Sequence, residues 1–503
     1  MYLTIFPPKA FGTVLSNLWL NNKEKTSRLN ERFVIPIPHP CDRALSLPTQ
    51  MTADVRFTVL DYVVFVSMLL VSLAIGVYSS LRKKGASSTQ AFLLGGREMP
   101  VAPVAFSLVG GVISAISILG LPTEMYLYGT QLTTNIIGLI LGVIVVKYVF
   151  LPIFYPLKLV SIYEYIELRF KSKALRKLAM TCWLMESCMY LGSCLYAPSL
   201  ALLSVTSLPT WVSILTVGLV CAVYISIGGV QAVVYTDVVQ TLLMFGGVVT
   251  VVAVGCRDLG GLGGVLQIAD RGGRLEFFNT DPSPFARHTL WSTIVLGLYM
   301  AFSITGTSQT QYQRFASVKS LAMAQSLCSM FSVGVLLLWG VFYFSGLVAY
   351  AVYSDCDPLT AGRIEKPDQI MPYLVADKLS HLKGFFVASV YGGVLSSLSS
   401  QCNAMACVVW EDFLKDRSYF QKFSDRSATN VVKFLSLKVI KRIGVNMMSS
   451  SRNSDALVML YLTTKIVHKY WTPNINTISA TATSLPPISI LWFYSPRFPY
   501  QHK

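Results

Sequence analysis

The sequence predicts an all-α polytopic membrane protein. Three observations carry this reading. Of 503 residues, 53% are hydrophobic and only 13% charged, with a mean hydropathy of +0.54, whereas soluble domains carry about 25% charged residues. The apolar residues gather into runs long enough to cross about 30 Å of hydrocarbon. The net charge of +16 sits at the ends: residues 1–50 hold six basic and three acidic groups, residues 414–503 thirteen and three. The middle of the chain is nearly balanced, so the high pI does not mark an organised basic face for nucleic acid.

Nine membrane segments follow from the apolar runs, at 59–81, 102–128, 132–155, 178–204, 209–227, 236–256, 290–313, 322–353 and 383–410. Basic residues set their orientation. Arg82, Lys83 and Lys84 follow the first segment, Lys158 to Lys177 the third, Arg314 and Lys319 the seventh, and Lys415 and Arg417 the ninth. These are alternate loops and therefore one side, the cytoplasmic one. The loops 257–289 and 354–382 then lie outside.

Three regions result. Residues 1–50 form an N-terminal extension that is Pro-rich and basic on the unfavoured side, and Met51 offers a cleaner start. Residues 51–413 form the transmembrane core. Residues 414–503 form a basic tail without an apolar span of membrane length, expected to be cytoplasmic and disordered or non-native. The ten cysteines match neither a disulfide framework nor a zinc pattern. Cys182, Cys188 and Cys194 read as small core hydrophobes, and a disulfide is open only to Cys256 or Cys356, near outside loops.

The stretch GGVLSSLSSQCN (392–403) puts four serines inside an apolar segment. A hard cation takes oxygen ligands. Membrane helices keep their carbonyls bonded internally, so free oxygens come from hydroxyls or from breaks in a helix. Ser396, Ser397, Ser399 and Ser400 share a helix region with Gly393 one turn earlier. Tight helix packing on small residues is the competing reading. The segment 106–129 suggests a discontinuous partner: Gly110 and Gly111 loosen it, Pro122 interrupts it, and Ser114 and Ser117 add hydroxyls. Asp237 opens a membrane segment near the inner face. An intramembrane carboxylate is a functional candidate by default, and a helix N-cap is the alternative. Glu164, Glu167 and Arg169 read as a structural loop network. In 290–313, Gly306 with Thr305, Thr307, Ser308 and Gln309 suggests a second broken helix. No HExxH, GxSxG or phosphate-loop pattern occurs, so an enzyme is not expected.

Five stretches together resemble the sodium/solute symporters, nearest to the sodium-coupled monocarboxylate, multivitamin and iodide transporter branch. They are FLPIFYPLKLVSIYEYIELRF (150–170), LYAPSLAL (195–202), GGVQAVVYTDVVQ (228–240), DCDPLTAGRIEKPDQIMPYLV (355–375) and LSSLSSQCNAMACVVWEDF (395–413). The resemblance implies a LeuT-like core of two five-helix inverted repeats after one extra helix, with Na+ as coupling ion. Only three helices of the second repeat are legible, so that repeat reads as truncated.

The resemblance further implies a main sodium site from the carbonyls of Gly110, Ile113 and Gly393 and the hydroxyls of Ser396 and Ser397, with alanine tolerated at 110 or 393 if only the carbonyl is used. It favours a second or exit sodium site at Asp237, Ser399 and Ser400. Substrate groups are expected at Ser117, Thr305, Thr307 and Gln309. Few aromatics line that stretch, which argues against a stacked sugar; a small organic anion, such as a monocarboxylate or a carboxylate-bearing vitamin, is expected, with iodide left open. The expected partners are this solute and the bilayer, not nucleic acid, with the oligomeric state left open. The expected function is sodium-coupled symport at the plasma membrane; the alternative is a truncated, non-transporting form of such a symporter.

Overall fold

The computed structural model describes residues 57–81, 89–205, 209–283 and 286–449. The extension 1–50 and the tail beyond 449 lie outside them. The main helices are α1 (Val59–Leu81), α2 (Val101–Val112), α3 (Ala115–Tyr128), α4 (Thr130–Phe154), α5 (Lys173–Val205), α6 (Thr210–Asp258), α7 (Leu290–Gly306), α8 (Gln309–Phe315), α9 (Leu321–Val352), α10 (Lys383–Val408) and α11 (Asp425–Ser449). Among the described residues α1, α4, α5, α6 and α9 are long and apolar enough to cross a membrane. Two bent pairs pass the same test, one of them α7 with α8, bent by 61°.

Helix α6 has 49 residues, or about 73 Å at 1.5 Å per residue, more than twice a hydrocarbon core. It holds the two segments expected at 209–227 and 236–256, joined without a loop. The junction is Gly229, at φ 61° and ψ −152°. A β-carbon there would also meet the ring and carbonyl of Phe92 at 2.7 Å. The helix is kinked at this glycine, and both halves contact α1. Before it, Tyr224 and Gly228 pack beside Gly76 and Ser79 of α1; after it, Gln240 bonds back to Ser72, earlier on the same helix.

Helix α10 is the centre of the bundle. Nearly every residue from Lys383 to Val408 is buried, the four serines included. Its hydroxyls lower its hydropathy, yet burial on all sides removes it from lipid and lets neighbouring helices satisfy them. Asp61 of α1 holds its start, accepting from the Gly384 amide at 2.8 Å, where the helix dipole favours an anion.

Two differences from the sequence reading have local causes. The break in 101–128 falls at Ile113–Ser114, and Pro122 lies inside the continuous α3. In the tail, Asp425–Ser449 forms the helix α11 against α6 and α10. Ala428, Val432 and Ser436 recur every four residues and are buried, while Arg426 and Lys438 are exposed. One narrow face carries the packing, so average hydropathy misses it. Cys256 is a buried free thiol, and Cys356 is disulfide-bonded.

Helices α4 and α7 cross on reciprocal glycines. A β-carbon on Gly138 would meet the Ile294 carbonyl at 1.9 Å, and one on Gly297 the Asn135 carbonyl at 2.0 Å. Thr134 and Thr293 hydroxyls bond at 2.6 Å beside this crossing. Gly138→Leu is therefore predicted to cost about 1–3 kcal/mol or more, as overpacking does, and to lower the melting temperature in detergent. Gly340→Leu, with nothing within 4 Å of its β-carbon, should melt like the parent; equal melting of the two variants would contradict the crossing.

Candidate functional site

The site begins with a break in the backbone. Helix α2 ends at Val112 and α3 starts at Ala115; between them Ile113 (φ −82°, ψ 114°) and Ser114 (φ −109°, ψ 173°) are extended. The last carbonyls of α2 and the first amides of α3 thereby lose intrahelical partners. The Ser397 hydroxyl of α10 donates to the Ile113 carbonyl at 3.3 Å. Tyr190 of α5 lies beside Ser114 and Ser397. Here a membrane interior offers carbonyl and hydroxyl oxygens together, the donor set a hard cation takes.

One turn towards the other end of α2 lies a charged cluster. Asp237 and Arg314 are both fully buried, with Nη2 and Oδ2 3.4 Å apart. The Ser396 hydroxyl donates to Asp237 Oδ1 at 2.7 Å, and the Ser107 and Ser400 hydroxyls donate to its Oδ2, the latter at 3.4 Å. Arg314 in turn donates to Ser107 at 3.1 Å, to the Thr310 carbonyl at 2.9 Å and to Ser400. The cluster joins α2, α6, α8 and α10 through one carboxylate. A buried pair survives only when its remaining donors and acceptors are met, and these serines meet them.

The expected residues fall into two groups. Ile113, Ser396 and Ser397 meet at the α2–α10 contact, with Gly110 and Gly393 lining it. The alanine expected to fit at 110 or 393 where only the carbonyl serves would meet close neighbours at both positions. A β-carbon on Gly110 would lie 2.2 Å from Thr241 Oγ1 and 3.0 Å from Ser396 Oγ; one on Gly393 would lie 3.1 Å from the Ala115 amide and 3.0 Å from Met244 Sδ. A methyl group at 110 therefore requires the Thr241 hydroxyl to move, and one at 393 requires its neighbours to give by a few tenths of an ångström. Ser400 faces Asp237, whereas Ser399 bonds back to the Ser396 carbonyl at 3.1 Å, a local alternative open to serine. Asp237 is not an N-cap, since it sits inside the second half of α6, eight residues past Gly229.

The expected substrate residues differ in what their side chains are committed to. Thr305 is buried and its hydroxyl has no partner among the described residues. Ser117 is half-buried on the first turn of α3. Thr307 is exposed and bonds the Phe302 carbonyl at 3.1 Å. Gln309 is buried with its amide committed to the 160–162 loop, donating to the Val160 carbonyl at 2.9 Å and accepting from the Ile162 amide at 2.8 Å.

Sequence reasoning missed Ser107 and placed Arg314 in a cytoplasmic loop as an orienting charge. Only the 61° turn between α7 and α8 carries that guanidinium inward. The loop network does form: Arg176 pairs with Glu167 at 2.8 Å, with Glu164 at 3.9 Å and with Asp412, while Arg169 stays exposed. Burial pushes the Asp412 carboxyl up to about 6, against the opposing pull of Arg176.

With this geometry established, comparison with known proteins is informative. The sequence pattern of the Sodium:solute symporter family matches residues 92–475. The chain belongs to that family. Sodium-coupled monocarboxylate transporter 1 of Homo sapiens is 40% identical over 384 residues, covering 76% of this chain and 62% of the relative. Sodium-coupled monocarboxylate transporter 2 of Bos taurus is 38% identical over 385 residues, with 76% and 62% covered. The Sodium/iodide cotransporter of Homo sapiens is 38% identical over 380 residues, with 75% and 59% covered. The chain thus spans about 62% of the length of the first of these relatives. A solved structure of a Na+-coupled sialic acid symporter in a substrate-bound outward-open state superposes with a TM-score of 0.72 at 23% identity, covering 81% of this chain and 84% of that one. The two share the LeuT-like fold. Membership in the family, together with the spanning helices, makes the chain a multi-pass membrane protein, and the relatives are transporters rather than enzymes.

Within this symporter fold the Asp237–Arg314 pair yields a test. Asp237→Asn is predicted to cost about 3–5 kcal/mol by stranding a buried guanidinium, read as a lower melting temperature in detergent. The double variant Asp237→Asn with Arg314→Gln should recover part of that loss. Parental melting of the single variant would show that the pair does not form.

Proposed function

We propose that this chain is a sodium-coupled symporter of a small organic anion at the plasma membrane. The observation that carries the reading is the α2–α10 contact, where a helix break and a pair of buried serine hydroxyls present oxygens inside the bundle. Sodium is the coupling ion. At the main site it takes the carbonyls of Gly110, Ile113 and Gly393 and the hydroxyls of Ser396 and Ser397. Ser396 donates its proton to Asp237, which leaves its oxygen lone pairs for a cation. Ser400 and Asp237 then form the second or exit position, in competition with Arg314.

Binding works by bridging. One ion shared between α2 and α10 holds the half-helix against the central helix and stabilises one side-facing state. Its loss frees α2 to move, and the site opens to the other side. The first repeat of the fold is read from α2 to the second half of α6, and α7 to α11 belong to the second. The solute is an anion, a monocarboxylate or a carboxylate-bearing vitamin. Its carboxylate suits the amide end of α3, where the helix dipole is positive. Ser117, on the first turn of α3, is the group beside it that remains available, and Thr305 keeps an unpartnered hydroxyl on α7; the committed amide of Gln309 argues against a direct contact there. The relatives' names, monocarboxylate transporters and an iodide cotransporter, support a small anion.

The test is uptake by this chain in proteoliposomes under a sodium gradient, against a potassium gradient, with lactate, pantothenate and iodide as probes. Sodium-driven uptake of one of them is the expected result. Ser397→Ala should raise the sodium concentration for half-activation about tenfold or more, because a contact with a charge contributes about 1.5–3 kcal/mol. Sodium binding without sodium-driven uptake of any probe would favour the non-transporting alternative, and unchanged activation in Ser397→Ala would remove that serine from the site.

A further inference from the structure

An apolar groove of about 520 Å³ opens on the bundle's outer face, between α2, α6 and α9. Phe106 and Val109 form one wall, Leu242 and Phe245 a second, Val333 and Leu337 the third. Phe106, Leu242, Val333 and Leu337 are each at least 40% exposed, so the groove faces the bilayer. Along α9 its lining runs from Ser329 to Leu338, about 13 Å at 1.5 Å per residue. It contains almost no polar surface except at one end.

That end carries a charge. The Lys147 ammonium of α4 donates to Ser329 Oγ at 2.9 Å and lies 5.1 Å from the Tyr148 ring centre. Among the described residues no carboxylate pairs with it. Lys147 lies about 10 Å from the end of α4 at Phe154, and Ser329 about 12 Å from the start of α9 at Leu321. With 32 residues, α9 is about 48 Å long and exceeds the hydrocarbon core by roughly 9 Å at each end. Both groups therefore sit near the border of headgroups and acyl chains. The basic loops place that border on the cytoplasmic side, where anionic lipids concentrate. A cation held there without a carboxylate is stable when a phosphate supplies the counter-charge.

We propose that the groove is a binding site for an anionic phospholipid of the cytoplasmic leaflet, with an acyl chain between α2, α6 and α9 and the phosphate on Lys147. The proposal rests on the membrane orientation read from the loops but not on transport. The chain packs against Val109, next to Gly110 on the half-helix that precedes the break. Thr241, which bonds the Phe106 carbonyl at 3.3 Å, also lines the groove. An occupied groove thus braces the part of α2 whose movement symport requires.

The test is native mass spectrometry of the purified full chain in detergent, with palmitoyl-oleoyl phosphatidylglycerol and the matching phosphatidylcholine as probes. The parent should prefer phosphatidylglycerol by about fivefold, the ratio that one cationic side chain near a lipid surface confers. Lys147→Gln should bring the two lipids to parity. Val333→Trp, which fills the groove from its lipid-facing wall, should weaken both; Leu337→Trp replaces it if that variant does not fold. An undiminished preference in Lys147→Gln, or undiminished binding in a folded groove-filled variant, would overturn the site. Retention of a co-purified sterol in place of either phospholipid would also overturn it. Because the readout is lipid binding, its failure leaves the symport reading standing, and the reverse holds too.

Discussion

A single carboxylate inside the membrane organises this molecule. Asp237 is fully buried and is met by one guanidinium and three serine hydroxyls drawn from three other helices. A bare charge in hydrocarbon is costly, so those helices must converge on it. The convergence brings α10 into the middle of the bundle. It also brings the Ser397 hydroxyl to the end of α2, where the backbone break exposes carbonyls. The feature that satisfies the charge and the feature that offers oxygens to a cation are one arrangement.

Glycine provides the clearance. Gly110 and Gly393 let α2, α3 and α10 approach until a β-carbon would be crowded. Gly229 lets α6 turn at one residue, so that both of its halves pack against α1. In lipid, where burying apolar surface between helices gains little, such close contacts and hydrogen bonds provide the cohesion. The same economy leaves the outer face rich in exposed apolar side chains, among which the groove beside α9 differs by carrying a charge at its border.

The helices, the serine cluster and the discontinuity near Gly110 were legible in the sequence, because hydropathy and residue type act locally. Misreadings came where a residue's role depends on what lies opposite. Pro122 resembles a breaker but is accommodated, while Ile113 and Ser114 carry no signal as a break. Arg314 follows an apolar run and reads as a loop charge until the bend before α8 turns it inward. Gln309 belongs to the 160–162 loop through contacts about 150 positions away. Helix α11 escaped notice because its packing face is only every fourth residue.

By itself, the sequence determined the class: a helical membrane protein whose one polar helix carries serines at helical spacing, with a carboxylate in another. Length, hydropathy and the loop charges suffice for that, since a bilayer imposes the same rules on every chain that crosses it. The tertiary structure decided which serine faces the carboxylate and which bonds its own helix, that Arg314 is its partner, and that Thr241 and Ser396 crowd Gly110. These are distances between residues far apart in the chain, set by how the helices pack, and no local pattern encodes them.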